Sequence, residues 1–133
     1  MNPYKAVSAY LQSRSVAVEG TNLFVGHVPP SPDSLLCVIP TPGIYDPTNI
    51  LQPYNKGTFQ LFARGTFDEA YTLLENAYDV LQGLGGVTLS TLYFVEIVAL
   101  QDEVTELGKD SLNRFQLVQN YRFEYWKQTE NRQ

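Results

Sequence analysis

The sequence predicts an α+β fold, a mostly antiparallel sheet with an N-terminal helix and a second helix packed on one face, and two long C-terminal strands joined by a projecting loop. Three observations predict it. Residues 56–86 read as a strand, a capped amphipathic helix and a glycine-rich exit; residues 92–100 and 115–125 read as long strands; and the amino terminus carries a helix-start signal.

Asn2-Pro3 fits an N-cap followed by proline at the first helical position, and Tyr4, Val7, Tyr10 and Leu11 mark a short amphipathic helix to about Ser13. Residues 16–18 and 23–28 are β-prone, with Glu19-Gly-Thr-Asn22 as a turn between them. Pro29-Pro-Ser-Pro-Asp33 breaks the chain before the apolar run at residues 35–39. From 40 to 55, Pro40, Pro42, Gly43, Pro47 and Pro53 remove too many donors and fix too many φ angles for a central strand or a helix. Loops of this length inside a compact domain are more often functional, so Pro42, Tyr45, Asp46 and Tyr54 are candidate assembly contacts.

In residues 56–64, Phe59, Leu61 and Ala63 alternate with Thr58, Gln60 and Arg64, the period of a strand with one face on a core; Phe62 breaks the polar face. Thr66-Phe-Asp-Glu69 matches a capping box, in which the Thr hydroxyl and the Glu carboxylate each satisfy a free N–H. Phe67, Ala70, Tyr71, Leu74, Tyr78 and Leu81 then share one stripe, with Asp68, Glu75, Asp79 and Gln82 turned to water. Gly83 stands at the C′ position, and Gly85-Gly86 is expected to reverse the chain.

Residues 92–100 place Tyr93, Val95, Ile97 and Ala99 on one face and Leu92, Phe94, Glu96 and Val98 on the other, which predicts a strand that is central or covered twice. Residues 115–125 alternate Phe115, Leu117, Tyr121, Phe123 and Tyr125 with Gln116, Asn120, Arg122 and Glu124; only Val118 and Gln119 violate the pattern. Residues 101–113 between them are polar and acidic, too long for a tight turn and expected to project. They supply Asp102, Glu103, Glu106, Leu107, Lys109 and Asp110 as further candidate contacts. Residues 126–133 form a polar tail expected to fray.

A chain of 133 residues suits one domain, 1–133, burying roughly two thirds of the surface its unfolded form exposes. The hydrophobic share is 44%, with nine Tyr and seven Phe, while the charged share of 17% falls below the usual value of about 25%. A charge-poor, Tyr-rich surface leans towards protein contacts. Net charge −5 with scattered Lys and Arg opposes nucleic-acid binding, which needs clustered cations. The single Cys37 excludes an intrachain disulfide and lies in an apolar run, as expected of a small hydrophobe in a reducing compartment. No apolar stretch has the length or continuity of a leader or a membrane span.

Catalytic signatures are missing. His27 is the single histidine, so a His-based metal cluster is impossible, and at a strand end it reads as a partly exposed residue before it reads as a base. Gly83-Leu-Gly-Gly86 follows a helix and lacks the lysine of a P-loop. The acidic residues 102, 103, 106 and 110 do not have EF-hand spacing and read as a solvated or assembly surface. No enzyme, metal or cofactor is expected.

Taken together and in order, Gly20-Thr-Asn-Leu-Phe-Val-Gly26, Pro30-Ser-Pro-Asp33, Phe59-Gln-Leu-Phe-Ala-Arg64, Asp68-Glu-Ala-Tyr71, Tyr78-Asp-Val-Leu-Gln-Gly-Leu84, Leu107-Gly-Lys-Asp110 and Gln119-Asn-Tyr121 resemble the tailed-bacteriophage minor capsid and tail-terminator family. The resemblance spans most of the chain. It implies a structural virion protein, assembled in the host cytoplasm, that forms a homo-hexameric ring on the tail tube protein and offers its other face to the head-tail connector. It implies no catalytic residues. Lys109 stands where Arg is common in the family, which keeps the charge but not the bidentate geometry. Three alternatives stay open: a head-tail joining protein, a small ligand-binding domain using His27 and the acidic loop, and an adaptor with a Tyr-rich face.

Overall fold

A computed structural model of the chain describes residues 2–41 and 54–126. Helix α1 (Pro3–Ser13) starts where Asn2 Oδ1 accepts the Tyr4 N–H at 2.8 Å, and it buries Ala6, Val7, Ser8 and Leu11. Helix α2 (Phe67–Leu81) carries the expected capping box: Thr66 Oγ1 accepts from Glu69 N at 3.2 Å, and Glu69 Oε1 accepts from Thr66 N at 3.0 Å. Its buried line is Ala70, Leu74, Ala77 and Leu81. The stripe is thus narrower than expected, because Ala77 occupies its centre and leaves Tyr71 and Tyr78 half-buried at the flanks, while Phe67 is exposed.

The strands are β1 (Leu23–Val25), β2 (Leu35–Thr41), β3 (Tyr54–Gly65), β4 (Leu84–Leu89), β5 (Leu92–Ala99), β6 (Thr105–Lys109) and β7 (Phe115–Trp126). They form one mixed, mostly antiparallel sheet in the order β1-β2-β3-β7-β5-β4, with β6 also on β7; only the β1–β2 pair is parallel. The longest ladder runs from Tyr54↔Trp126 to Gly65↔Phe115. The sheet is curled: β1 and β4 end the strand order, yet α1 packs against both. The helix therefore fills the seam between the two sheet edges.

Both helices share one core with the inner sheet face. Its centre is aromatic, with Phe59 stacked on Tyr121 at 5.1 Å and Phe123 touching Phe59, Phe94, Tyr125 and Tyr4 at 5.3, 5.8, 5.3 and 5.7 Å. Such ring pairs add about 0.5–1.5 kcal/mol each beyond their burial.

Several sequence expectations need correction. Residues 16–18 are not a strand, and the strand expected over 23–28 stops at Val25, because Gly26 turns to φ 83 and donates its N–H to Val38 O. Strand β2 continues through Pro40 to Thr41, and β3 already begins at Tyr54, so the loop expected over 40–55 loses both ends. Proline is tolerated at 40 because β1 ends opposite Val38, leaving that side of β2 without a strand partner among the described residues. The remainder of that loop, residues 42–53, lies outside the described residues.

Gly85-Gly86 does not make the chain reversal. Both belong to β4, a strand the sequence did not announce, and the reversal falls at Ser90-Thr91 between the paired Leu89 and Leu92. Gly85 is needed for approach: a Cβ there would meet the Val95 carbonyl oxygen at 2.6 Å. Strand β5 is central, paired with β7 on one side and β4 on the other, but it is not covered on both faces. A register shift between Phe94 and Glu96 puts Leu92, Phe94 and Ile97 on the core and leaves Tyr93 and Val95 exposed. The 101–113 segment does not simply project, since its second half is β6, paired back on β7 from Thr105↔Val118 to Lys109↔Phe115.

Candidate assembly surfaces

The two residues that broke the alternation of β7 explain a second layer. Val118 turns outward and packs with Leu35, Cys37 and Phe62 in a small cluster apart from the main core. Gln119 faces inward and donates from Nε2 to Gln101 O at 3.0 Å, tying the chain after β5 to β7. Burial pushes the Cys37 thiol up to about 12, so it stays protonated beside these apolar neighbours.

Beside that cluster two arginines secure the proline-rich turn. Arg64 is 4% exposed; its Nη2 donates to Pro29 O at 2.9 Å and to Pro32 O at 2.7 Å, and its Nε to Asp33 O at 3.3 Å. Burial, and then Arg114, lower its pKa from the usual range. Arg114 donates to Pro30 O at 2.8 Å, Asp33 Oδ1 at 3.1 Å and Asp110 Oδ2 at 2.8 Å. A turn with three prolines has carbonyls to satisfy and few donors of its own, and guanidinium groups supply those donors. The proline break was legible, but neither arginine partner was, because Arg64 comes from β3 and Arg114 from the turn before β7, both distant in sequence.

Of the sequence-predicted contact residues, Pro42, Tyr45 and Asp46 lie outside the described residues, and Tyr54 opens β3 opposite Trp126. The other six fall into two groups. Asp102 and Glu103, between β5 and β6, face α2 across a cleft of about 200 Å³ lined also by Tyr71, Glu75, Tyr78 and Asp79. Tyr71 donates its hydroxyl to Glu103 Oε1 at 2.8 Å, and that hydrogen bond holds the Tyr71 phenol above its ordinary range.

Glu106, Leu107 and Lys109 lie on β6, and Asp110 begins the turn into β7. Asp110 is a turn acceptor: it takes N–H groups from Leu112 at 3.0 Å and Arg114 at 2.9 Å as well as the Arg114 guanidinium. The Arg114 backbone N–H is the largest cause holding its carboxyl below the usual value. Lys109 Nζ sits 4.8 Å from the Phe115 ring centre, a cation–π contact. Leu107 and Leu112, 55% and 66% exposed, give this hairpin an apolar tip. Leu112 was not singled out from the sequence; its position in a turn after a charged strand was the available signal.

Charge is unevenly distributed. Helix α2 has Asp68, Glu69, Glu75 and Asp79 but no Lys or Arg, and Asp102 and Glu103 adjoin it. The outer face of the sheet is balanced: Arg122 reaches Glu96 at 3.3 Å and Glu124 at 4.0 Å, and Lys56 reaches Glu124 at 4.0 Å. His27 is exposed at the end of the first edge, 3.4 Å from Val25 O. Among the described residues no three His, Cys, Asp or Glu side chains are grouped to hold a metal ion. Among them, too, no helix is long and apolar enough to cross a membrane.

Fold and surfaces together define a small α+β protein whose distinctive chemistry lies on a stapled corner, an apolar hairpin tip and an acidic helix face. The chain belongs to the bacteriophage tail terminator family, whose model matches residues 10–126. It is accordingly a structural protein of the virion tail. A comparison with curated protein sequences gives no match. Among solved structures, the chain resembles one in the virion of the native gene transfer agent (GTA) particle, with a TM-score of 0.64 at 18% identity, covering 91% of this chain and 93% of that one. That likeness shows the fold.

Proposed function

We propose that this protein ends tail-tube growth by seating a homo-hexameric ring on the last layer of tube protein, with the ring's other face receiving the head-side connector. The observation that carries this reading is the family match over residues 10–126. A terminator must bind the tube end better than another tube subunit does, while presenting a face on which tube subunits cannot build. Heterologous contacts that close on themselves meet both demands, because modest contacts add across the copies.

The contact surfaces in this reading are the β6–β7 hairpin, with Glu106, Leu107 and Lys109, the Asp102–Glu103 connection, and the β2–β3 connection, with Pro42, Tyr45, Asp46 and Tyr54. Asp110 serves by fixing the hairpin turn. Phage DNA passes through the ring without sequence-specific binding, in keeping with a net charge of −5. The role involves no turnover and no cofactor, so His27→Ala is expected to leave assembly intact.

The test is a stop codon in this gene, with tail length and head attachment measured by electron microscopy. Overlong or ragged tubes without heads are the expected result. Tubes of normal length beside free filled heads would move the role to head-tail joining, and intact infectious virions would sink both.

A further inference from the structure

Most cations among the described residues are committed. Lys56, Arg114 and Arg122 are in ion pairs, Arg64 is spent on the proline-rich turn, and Lys109 rests on Phe115. Lys5 and Arg14 remain, both exposed and in no ion pair with a described residue. They stand at the two ends of α1: Lys5 in its first turn, Arg14 as its C-cap, with no other charged residue in the helix.

The face of α1 between them is shaped for contact. Exposed Ala9 lines both a groove of about 460 Å³, whose walls include Lys5, Leu23, Phe24 and Glu19, and one of about 340 Å³ whose walls include Tyr10, Val87 and Leu89; the Glu19 carboxylate there is engaged by the Ser8 hydroxyl, which donates to it at 2.9 Å. A small residue flanked by two grooves lets another surface approach closely.

The opposite deficit lies on α2. Glu75, Asp79, Asp102 and Glu103 line one cleft with no cation among its walls. Close by, within electrostatic reach of Tyr78 and Asp79, the Tyr121 hydroxyl is wholly buried and has no hydrogen-bond partner. The cleft lacks the positive charge that α1 presents to solvent. The helices dock on different strands, α1 on β1, β2 and β4 and α2 mainly on β3 and β7, so the two faces are separate patches of one surface.

We propose that copies of this chain join head to tail, with α1 of one copy set against the acidic cleft of the next, and with Lys5 and Arg14 supplying the positive charge that Glu75, Asp79, Asp102 and Glu103 lack. The contact is heterologous, the type that closes rings, and this proposal rests on the ring reading above. Charge complementarity within a single chain favours a second copy over a foreign partner as the occupant.

The test is a charge swap read by native mass spectrometry of the purified protein and by chemical crosslinking of purified tails, with circular dichroism as the folding control. Lys5→Glu with Arg14→Glu, and separately Glu75→Lys with Asp79→Lys, are each expected to reduce the multimer by roughly tenfold or more at low salt, with a smaller loss at higher salt, where the reversed charges are screened. All four changes together are expected to restore it. A wild-type multimer indifferent to both reversals would overturn this contact and leave the ring standing. A cleft reversal that abolishes tail capping while the multimer persists would assign the cleft to another partner and overturn the proposal. A wild-type protein that is monomeric both in solution and on tails would remove the ring reading and the proposal together.

Discussion

Arg114 Nε and Asp110 Oδ2 stand 2.8 Å apart across the turn that joins β6 to β7. The same guanidinium donates to the Pro30 carbonyl oxygen at 2.8 Å, so one side chain couples the hairpin to the proline-rich turn on the far side of the sheet edge. Hairpin and turn are thereby held as one unit.

Removing that side chain is expected to release both elements. Arg114→Ala leaves Asp110 and Asp33 without their charged donor and the Pro30 carbonyl without its partner. A fall in Tm of roughly 5 °C or more is expected in a thermal melt. Arg114→Lys should recover only part of it, since a compact ammonium cannot span acceptors divided between the Nε and Nη1 edges of the guanidinium. Unchanged melting of the alanine variant would show that the coupling carries no stability.

The same pair gives a pH dependence. Asp110 has its folded pKa lowered, first by the Arg114 N–H, so its contribution is complete above the unfolded aspartate value of about 3.9 and is lost as pH falls through the lower folded value. Urea midpoints measured from neutral to acid should show Asp110→Asn less stable than wild type at neutral pH, with the gap closing in acid. A constant gap would contradict the linkage.

Tyr121→Phe is expected to be neutral or stabilising, by up to about 1 kcal/mol, because it removes a buried hydroxyl that has no partner. The ring's stacking on Phe59 at 5.1 Å is untouched by the change. Chemical denaturation decides it: a clear loss of stability would mean that the hydroxyl is satisfied in solution.

Gly57 pairs with Phe123 across the β3–β7 ladder, and the Phe123 ring lies over the space a side chain at 57 would occupy. The aromatic ring covers a glycine that would otherwise weaken the strand. Gly57→Ala should therefore cost about 1–3 kcal/mol through displacement of that ring, read as a lower urea midpoint. Stability equal to wild type would mean that Phe123 has an alternative position.

What the sequence made legible was local. The Asn2 cap, the Thr66–Glu69 box and the alternation along β3 and β7 depend on residues within a few positions of one another, and each forms as expected. The β5 bulge was hidden because it is set by how Glu96 and Phe94 meet Glu124 and Tyr125 on another strand. Strand β6 was hidden because Thr105-Glu-Leu-Gly-Lys109 has no apolar face of its own and is a strand only by pairing with β7. Among the site residues, the acidic pair at 102 and 103 is legible, but its counterpart on α2 carries only the ordinary signal of solvent-facing charge. Only the fold brings Glu75 and Asp79 to the same cleft.

The seam filled by α1 has a consequence in time. This helix is made before the strands it docks on, and its docking surface includes β4, which leaves the ribosome only after β1, β2, β3 and α2. Until then Val7 and Leu11, fully buried at the end, have only part of their final neighbours. Docking of α1 should therefore be a late step on the route to the native state, outside the folding nucleus. Leu11→Ala should then accelerate unfolding in stopped-flow measurements while leaving the refolding rate nearly unchanged, and a matching slowdown of refolding would place the helix among the first elements to form.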